Sequence, residues 1–279
     1  MSSTSAQGAQ VPAALTTVLE VEELGVQFGS GPTSMTVLSG VSFSIGSSEF
    51  VCIVGPSGAG KTTLVRCLSG LTRPTSGTVR LDGEPVLGPP ERLALVAQDY
   101  SRSLMPWLRV ADNVRLPLRG KGIPVVEQRE RIRRALDEVG LQDAAHLYPG
   151  QLSGGMQQRV SIARALAYNP EILIMDEPFA SVDALTRSEL EDLIHRLQRQ
   201  SKIAVVLITH DIDESVYLSD RILVLGGRPA SIMHEYSIDL GEERDQLTTK
   251  SLRTFAEYRA DVLRSIHAAG AVMRDESLT

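Results

Sequence analysis

The sequence has 279 residues, 42% apolar and 22% charged, with a formal net charge of −6, an ordinary globular composition that excludes collagen-like and mostly disordered classes. No run reaches the roughly 18 consecutive apolar residues of a membrane-spanning helix, and the two cysteines, Cys52 and Cys67, cannot form a disulfide framework and suit a reducing compartment. The length allows one large domain or two modest ones.

In chain order, residues 1–17 are Ser/Ala/Gln-rich without the basic start or apolar stretch of a secretory signal, so a flexible tail is expected. Short β-branched runs at residues 50–54, 171–175 and 203–208, followed by helical patterns, predict buried parallel strands, and Leu93 to Ala97 reads as a further strand that Gln98 ends. Residues 99–164 carry 11 Lys/Arg against 7 Asp/Glu, and the remaining chain 17 against 27, so the middle is a body of different charge. There Val126, Ile132, Leu136 and Val139 predict the apolar stripe of a helix that Gly140 ends. Arg129, Arg131, Arg133 and Arg134 alternate with Glu127, Glu130, Asp137 and Glu138, which predicts a solvated, salt-bridged face. Without interleaved aromatics, and with an acidic overall balance, a nucleic-acid partner has no support. After Leu225 the pattern weakens to a strand near 231–238 and a helix near 252–268, expected as an appendage.

Gly55-Pro56-Ser57-Gly58-Ala59-Gly60-Lys61-Thr62 fits G-x-x-x-x-G-K-[ST] between a strand and a helical pattern that begins at Thr63. The glycines let successive N–H groups face one anion, and the helix adds its positive end. Lys61 then serves the β- and γ-phosphates, and the Thr62 hydroxyl suits Mg2+. This loop predicts a nucleoside triphosphate site without specifying the chemistry that follows. Asp176 and Glu177 end a buried strand, where parallel sheets bind ligands. Asp176 suits Mg2+ through its water shell, and Glu177 suits polarising the attacking water. A third segment, Leu152-Ser153-Gly154-Gly155-Met156-Gln157-Gln158-Arg159, offers a hydroxyl and amides at a helix N-terminus, a second anion cup. One nucleotide does not readily need both cups in a chain.

With its phosphate loop, strand-end Asp-Glu and this third segment, the chain resembles the ABC-type ATPases, whose signature motif the third segment matches. The resemblance covers roughly residues 18–240 and implies an α/β P-loop NTPase (RecA-like) fold: a mostly parallel sheet, an N-terminal antiparallel β subdomain, and a helical subdomain at about 99–164. Residues 241–279 would form a C-terminal helical extension. It further implies that Ser153, Gly154, Gly155 and Gln157 close over the nucleotide of a second copy, giving a homodimer around two ATP and Mg2+. Phe28 resembles the aromatic that stacks on adenine, and Gln98 the glutamine that senses Mg2+ and water. Asp183 resembles the aspartate that communicates across the dimer, with Ser181-Val182 before it where Ala-Leu is more usual. His210 resembles the switch histidine at the γ-phosphate.

Trp107 and its neighbours, Asp176-Glu177-Pro178-Phe179 and Gly226-Gly227-Arg228-Pro229 are similar to the nitrate/sulfonate/taurine importer branch. Its members work with membrane-spanning permease subunits and, through them, a solute-binding protein, at the cytoplasmic face of the inner membrane. Trp107 lies where that branch touches the permease, although a buried core aromatic fits its type equally. Exporters share the chemistry. Soluble ABC ATPases also share it, usually with coiled-coil or tandem insertions that this sequence lacks.

Overall fold

A strand that is apolar at every position has to be covered on both faces, and the central strands of this chain meet that condition. The computed structural model describes residues 16–29, 31, 34–98 and 103–275; the expected N-terminal tail lies almost wholly outside them. Among the described residues the elements are β1 (Thr17–Phe28), β2 (Met35–Gly46), β3 (Phe50–Val54), α1 (Lys61–Leu68), β4 (Ser76–Leu81), β5 (Glu84–Pro85) and β6 (Leu93–Val96). There follow α2 (Val110–Arg115), α3 (Val125–Glu138), α4 (Gly154–Ala167), β7 (Ile172–Asp176), α5 (Ala184–Ser201) and β8 (Ala204–Ile208). The chain then forms α6 (Ile212–Leu218), β9 (Arg221–Gly226), β10 (Ser231–Ser237) and α7 (Arg253–Asp275).

Six strands form one sheet in the order β10-β9-β3-β8-β7-β6, parallel except for β10 at its edge. On β3, Phe50, Cys52 and Val54 enter one apolar cluster with α2 to α7, while Val51 and Ile53 enter a second with α1 and the N-terminal sheet. The N-terminal sheet, in the order β2-β1-β4-β5, is antiparallel. This two-sided burial brings the carboxyl ends of β3, β7 and β8 out at one edge, with the site residues just beyond them. The fold is the expected α/β class, and both cysteines are buried free thiols.

The middle differs from expectation in one position. Ile132, Ala135, Leu136 and Val139 are buried, but Val126 is 79% exposed. Ile132, Ala135, Leu136 and Val139 are spaced i, i+3, i+4, i+7, whereas six residues carry Val126 about 120° around the helix from Ile132. The expected salt-bridged face is present: Arg131–Glu127 at 2.6 Å, Arg133–Glu130 at 2.6 Å and Arg134–Glu138 at 2.8 Å. Such exposed pairs contribute roughly 0.2–0.5 kcal/mol each.

The segment after Leu225 is not an appendage. Along α7, Phe255, Val262 and Ala269 recur every seven residues on one face and join the larger apolar cluster, and the helix packs on β9, β10 and α6. The preceding loop is stitched down by Arg244, whose buried side chain donates to the carbonyls of Tyr217 at 2.6 Å and Ser219 at 3.0 Å, and by Lys250, paired with buried Glu191 at 3.1 Å. The tightest approach is at Gly226, where an added Cβ would meet the Ala269 Cβ at 2.5 Å and the Met233 Sδ at 2.7 Å. Gly226→Ala is therefore expected to destabilise the fold by about 1–3 kcal/mol through overpacking; an unchanged thermal midpoint would show that α7 rides loosely on β9.

Candidate active site

The phosphate loop leaves β3 and closes on α1, and its glycines are required by both backbone angle and space. Gly58 and Gly60 have φ near +80°, which side chains disfavour. At Gly55 a Cβ would meet the Leu225 carbonyl oxygen at 2.2 Å. Pro56, Ser57, Ala59 and Thr63 complete the loop and the first turn, and Thr62 is exposed. Lys61 is buried, and its ammonium donates to the carbonyls of Gly55 at 2.8 Å and Pro56 at 3.1 Å, leaving one of three N–H groups uncommitted. Burial lowers its pKa from the ordinary lysine value, opposed by the charges of Glu177 and Asp176.

Glu177 has φ +45°, a left-handed conformation costing a non-glycine residue roughly 1–3 kcal/mol. Its N–H donates to the Ile208 carbonyl at 2.8 Å, so β8 holds the turn. The result is a convergence on one atom: Glu177 Oε2 accepts from Gln98 Nε2 at 2.9 Å and lies 3.4 Å from His210 Nδ1. Three residues drawn from the ends of β6, β7 and β8 thus meet at one carboxylate. The Asp176 carboxylate sits beside them without a hydrogen bond or ion pair among the described residues, its pKa raised by burial and then by the like charge of Glu177, against the pull of Lys61 and Arg66. Two half-buried carboxylates facing one ammonium that is already bonded to the loop leave negative charge for a cation to neutralise. With the hydroxyl of Thr62, the residue after Lys61, this donor set fits Mg2+, which is bound by one or two carboxylates together with phosphates and water. No cluster of three His, Cys, Asp or Glu capable of holding a metal by themselves occurs among the described residues.

The other predicted residues stand apart from this group. Ser153 caps α4, its Oγ accepting from the Met156 N–H at 3.3 Å, and the hydroxyl proton stays available to an anion. Gly154 opens the helix, while Gly155 admits α5, since a Cβ there would lie 2.2 Å from Thr186 Cγ2. The Gln157 amide donates to the carbonyls of Pro149 at 3.1 Å and Leu152 at 3.3 Å, tying down its own loop. Among the described residues no hydrogen bond or ion pair joins Ser153, Gly154 or Gly155 to the phosphate loop. Asp183 caps α5 by accepting from the Thr186 N–H at 3.1 Å, and hydrogen bonding by the Thr186 side chain first, then by its N–H, lowers the Asp183 pKa. Phe28 ends β1, 47% exposed.

The sequence reading missed Asp211 and Glu214. Asp211 caps α6, accepting from the N–H groups of Asp213 at 2.9 Å and Glu214 at 3.2 Å; Glu214, three residues on, accepts from the Thr209 hydroxyl at 2.5 Å. Their Asp-x-x-Glu spacing is the signal of a helix start and was available. Burial pushes the Glu214 carboxyl up to about 7, with Asp211 and Glu191 adding to the rise and the Thr209 bond and Arg187 opposing it. A carboxyl held above its ordinary 4.5 keeps its proton longer in the folded state. Its contribution to stability is therefore complete below about pH 4.5 and is lost as pH rises through about 7. Glu214→Gln should remove this dependence, so its thermal midpoint relative to the parent should be higher at pH 8 than at pH 5; an equal difference at both would contradict the assignment.

The model of the ABC transporter family matches residues 38–180. An uncharacterised ABC transporter ATP-binding protein of Methanocaldococcus jannaschii is 43% identical over 260 residues, covering 93% of this chain and 92% of that protein. The nitrate import ATP-binding protein NrtD of Synechocystis sp. is 41% identical over 226 residues, covering 81% of this chain and 84% of its own length. Among solved structures, a dimeric ATP-binding cassette in a post-hydrolysis state bound to ADP and Pi superposes with a TM-score of 0.67 at 31% identity, covering 79% of this chain and 99% of that one. With the phosphate loop, the strand-end carboxylates and the signature segment on one scaffold, the chain belongs to the ABC transporter family and is one of its ATP-hydrolysing cassettes.

Proposed function

We propose that the chain is the energy-coupling subunit of an importer, in which two copies close around two Mg-ATP to drive uptake of a small anion such as nitrate, sulfonate or taurine. The observation that carries the catalytic part is the meeting of Gln98 and His210 at Glu177 Oε2, beside Lys61 and Asp176. Catalysis here is positioning and charge stabilisation. Lys61 and the loop amides hold the phosphates, and Phe28 offers its ring to the adenine. Glu177 accepts a hydrogen bond from the attacking water, and Gln98 and His210 fix that carboxylate, with His210 exposed for the γ-phosphate. Thr62, Asp176 and Gln98 would hold Mg2+, which when bound neutralises charge on the β- and γ-phosphates.

Ser153, Gly154 and Gly155 form the cup for the partner copy's nucleotide, and Asp183 faces the same seam. In support, the Ser153 hydroxyl retains a free proton and is tied to no part of its own phosphate loop. Trp107 is 70% exposed, which favours its reading as a contact for a permease subunit over that of a core aromatic. The neighbouring Arg109 guanidinium lies over the exposed Tyr148 ring at 5.3 Å, a second aromatic on this surface. No helix of the described residues is long and apolar enough to cross a membrane, so permease subunits would hold the chain, peripherally, at the cytoplasmic face of the inner membrane, where a solute-binding protein acts through them. The transported anion is read from the similarity to the nitrate import relative and its branch.

Glu177→Gln keeps the shape of the side chain while weakening its ability to polarise water. It is expected to abolish hydrolysis and to trap a dimer, so that light scattering on a sizing column shows the mass doubling from 30.2 kDa only with Mg-ATP. A monomer under those conditions would sink the two-site sandwich. Ser153→Ala should reduce hydrolysis more than it reduces ATP binding by the monomer; equal losses would assign Ser153 to its own chain's nucleotide.

A further inference from the structure

Two turns of the proposed site lie far apart in sequence but are wired to one side chain. The first, before Asp183, starts α5; the second, Thr209-His210-Asp211, starts α6. Arg187, in the first turns of α5, donates from Nη2 to the Val182 carbonyl at 3.3 Å and from Nη1 to Asp211 Oδ2 at 3.4 Å, and its Nε lies 3.8 Å from Glu214 Oε1. Each carboxylate divides its oxygens. Asp211 gives Oδ1 to the N–H groups of α6 and Oδ2 to Arg187; Glu214 gives Oε2 to the Thr209 hydroxyl and turns Oε1 to Arg187. The Thr209 Oγ1 in turn accepts from the Asp211 N–H at 3.0 Å. His210 is thereby gripped on both flanks, through Thr209 and through Asp211, by a ring that closes on the carbonyl next to Asp183.

Both helices have apolar anchors outside this ring: α5 through the buried Leu190, Leu193, Ile194 and Leu197, and α6 through Val216, Tyr217 and Leu218. The Arg187–Asp211 pair, about a third exposed on both sides, contributes little. What a planar guanidinium supplies is direction: two separate donors, to the Val182 carbonyl and to Asp211, with its Nε edge held 3.8 Å from Glu214 as an ion pair, which an ammonium cannot hold in one geometry.

We propose that Arg187 is a positioning residue for ATP hydrolysis, locking the turn of Asp183 to the turn of His210 so that the seam to the second copy and the contact to the γ-phosphate move as one body. The inference rests on the reading of Asp183 and His210 given above.

The test uses the full chain. Arg187→Ala should lower kcat by about tenfold to a hundredfold, the scale of a small misplacement near the chemistry, with ATP binding by the monomer and the thermal midpoint nearly unchanged. Arg187→Lys should recover little of the rate. Asp211→Asn keeps the cap but loses the ion pair, and combined with Arg187→Ala it should cost no more than the larger single loss, the mark of one shared linkage. In the Glu177→Gln background, Arg187→Ala should raise the ATP concentration needed for dimerisation while leaving ATP binding by the monomer unaltered.

Parent-like kcat and dimerisation in Arg187→Ala would overturn the proposal. Full recovery by Arg187→Lys would overturn it in favour of charge alone. Joint losses of kcat, ATP affinity and thermal midpoint would reduce the residue to a structural one, and Asp211→Asn provides the same test should Arg187→Ala not fold. Glu177→Gln separates the two readings: hydrolysis surviving there removes the site assignment, whereas hydrolysis abolished there but intact in Arg187→Ala removes only the linkage.

Discussion

At the carboxyl ends of β3 and β7 two half-buried carboxylates, Asp176 and Glu177, face one ammonium, Lys61, that is already bonded to the carbonyls of Gly55 and Pro56. Burial disfavours the charges of Asp176 and Lys61, and the neighbouring charge of Glu177 raises the Asp176 pKa further. Excess negative charge in such a place is tolerable because a cation can be recruited beside it, and the cradle of loop amides next to it holds the anion that the cation accompanies. The rest of the site follows from this imbalance. Glu177 is turned away from Asp176 by a left-handed backbone that β8 holds through Ile208, and once turned its Oε2 is where Gln98 and His210 meet.

The scaffold makes that arrangement possible by burying β3, β7 and β8 on both faces. Phe50, Cys52 and Val54 point into one cluster and Val51 and Ile53 into the other, so the strands cannot slide or flip without exposing a core face. Their ends are accordingly rigid, and the groups beyond them are mounted on short turns. At three helix starts, two of them just past β7 and β8 and the third in the helical middle, a side chain caps the helix while remaining open to another partner: Asp183 on α5, Asp211 on α6 and Ser153 on α4. A cap orients its helix through one oxygen, and the remaining lone pair or proton is free for a ligand, a second copy or, at Asp211, Arg187. Rotation of a helix and re-aiming of a site group are then one event, the kind of coupling on which the proposed reading relies.

What could be read from the chain alone was whatever depends on contiguous residues. The phosphate loop, with its strand before and helix after, carries its own backbone requirements in Gly58 and Gly60; the strands are legible because fully buried strands lack polar positions; and the order of motifs sufficed for the family. Periodicity also located α3, yet it misassigned Val126, because an apolar residue six positions from Ile132 lies off the face that packing selects. Residues 241–279 looked like an addition for a similar reason: Phe255, Val262 and Ala269 form a face, but a face does not name the surface it covers.

Tertiary structure decided which groups meet. The convergence of Gln98, Glu177 and His210 joins the ends of three strands, and the Arg187 ring joins the starts of two helices; neither has a local signature, because each depends on how strands are ordered in the sheet and how helices cross it. The burial that pushes Glu214 up to about 7 and the exposure that frees Trp107 are equally properties of the packed whole. The sequence by itself determined the loop that binds phosphate and the carboxylates that answer it, since local backbone geometry and residue chemistry suffice for those. The folded chain alone decided their distances, charges and couplings, since these arise between segments that only packing brings together.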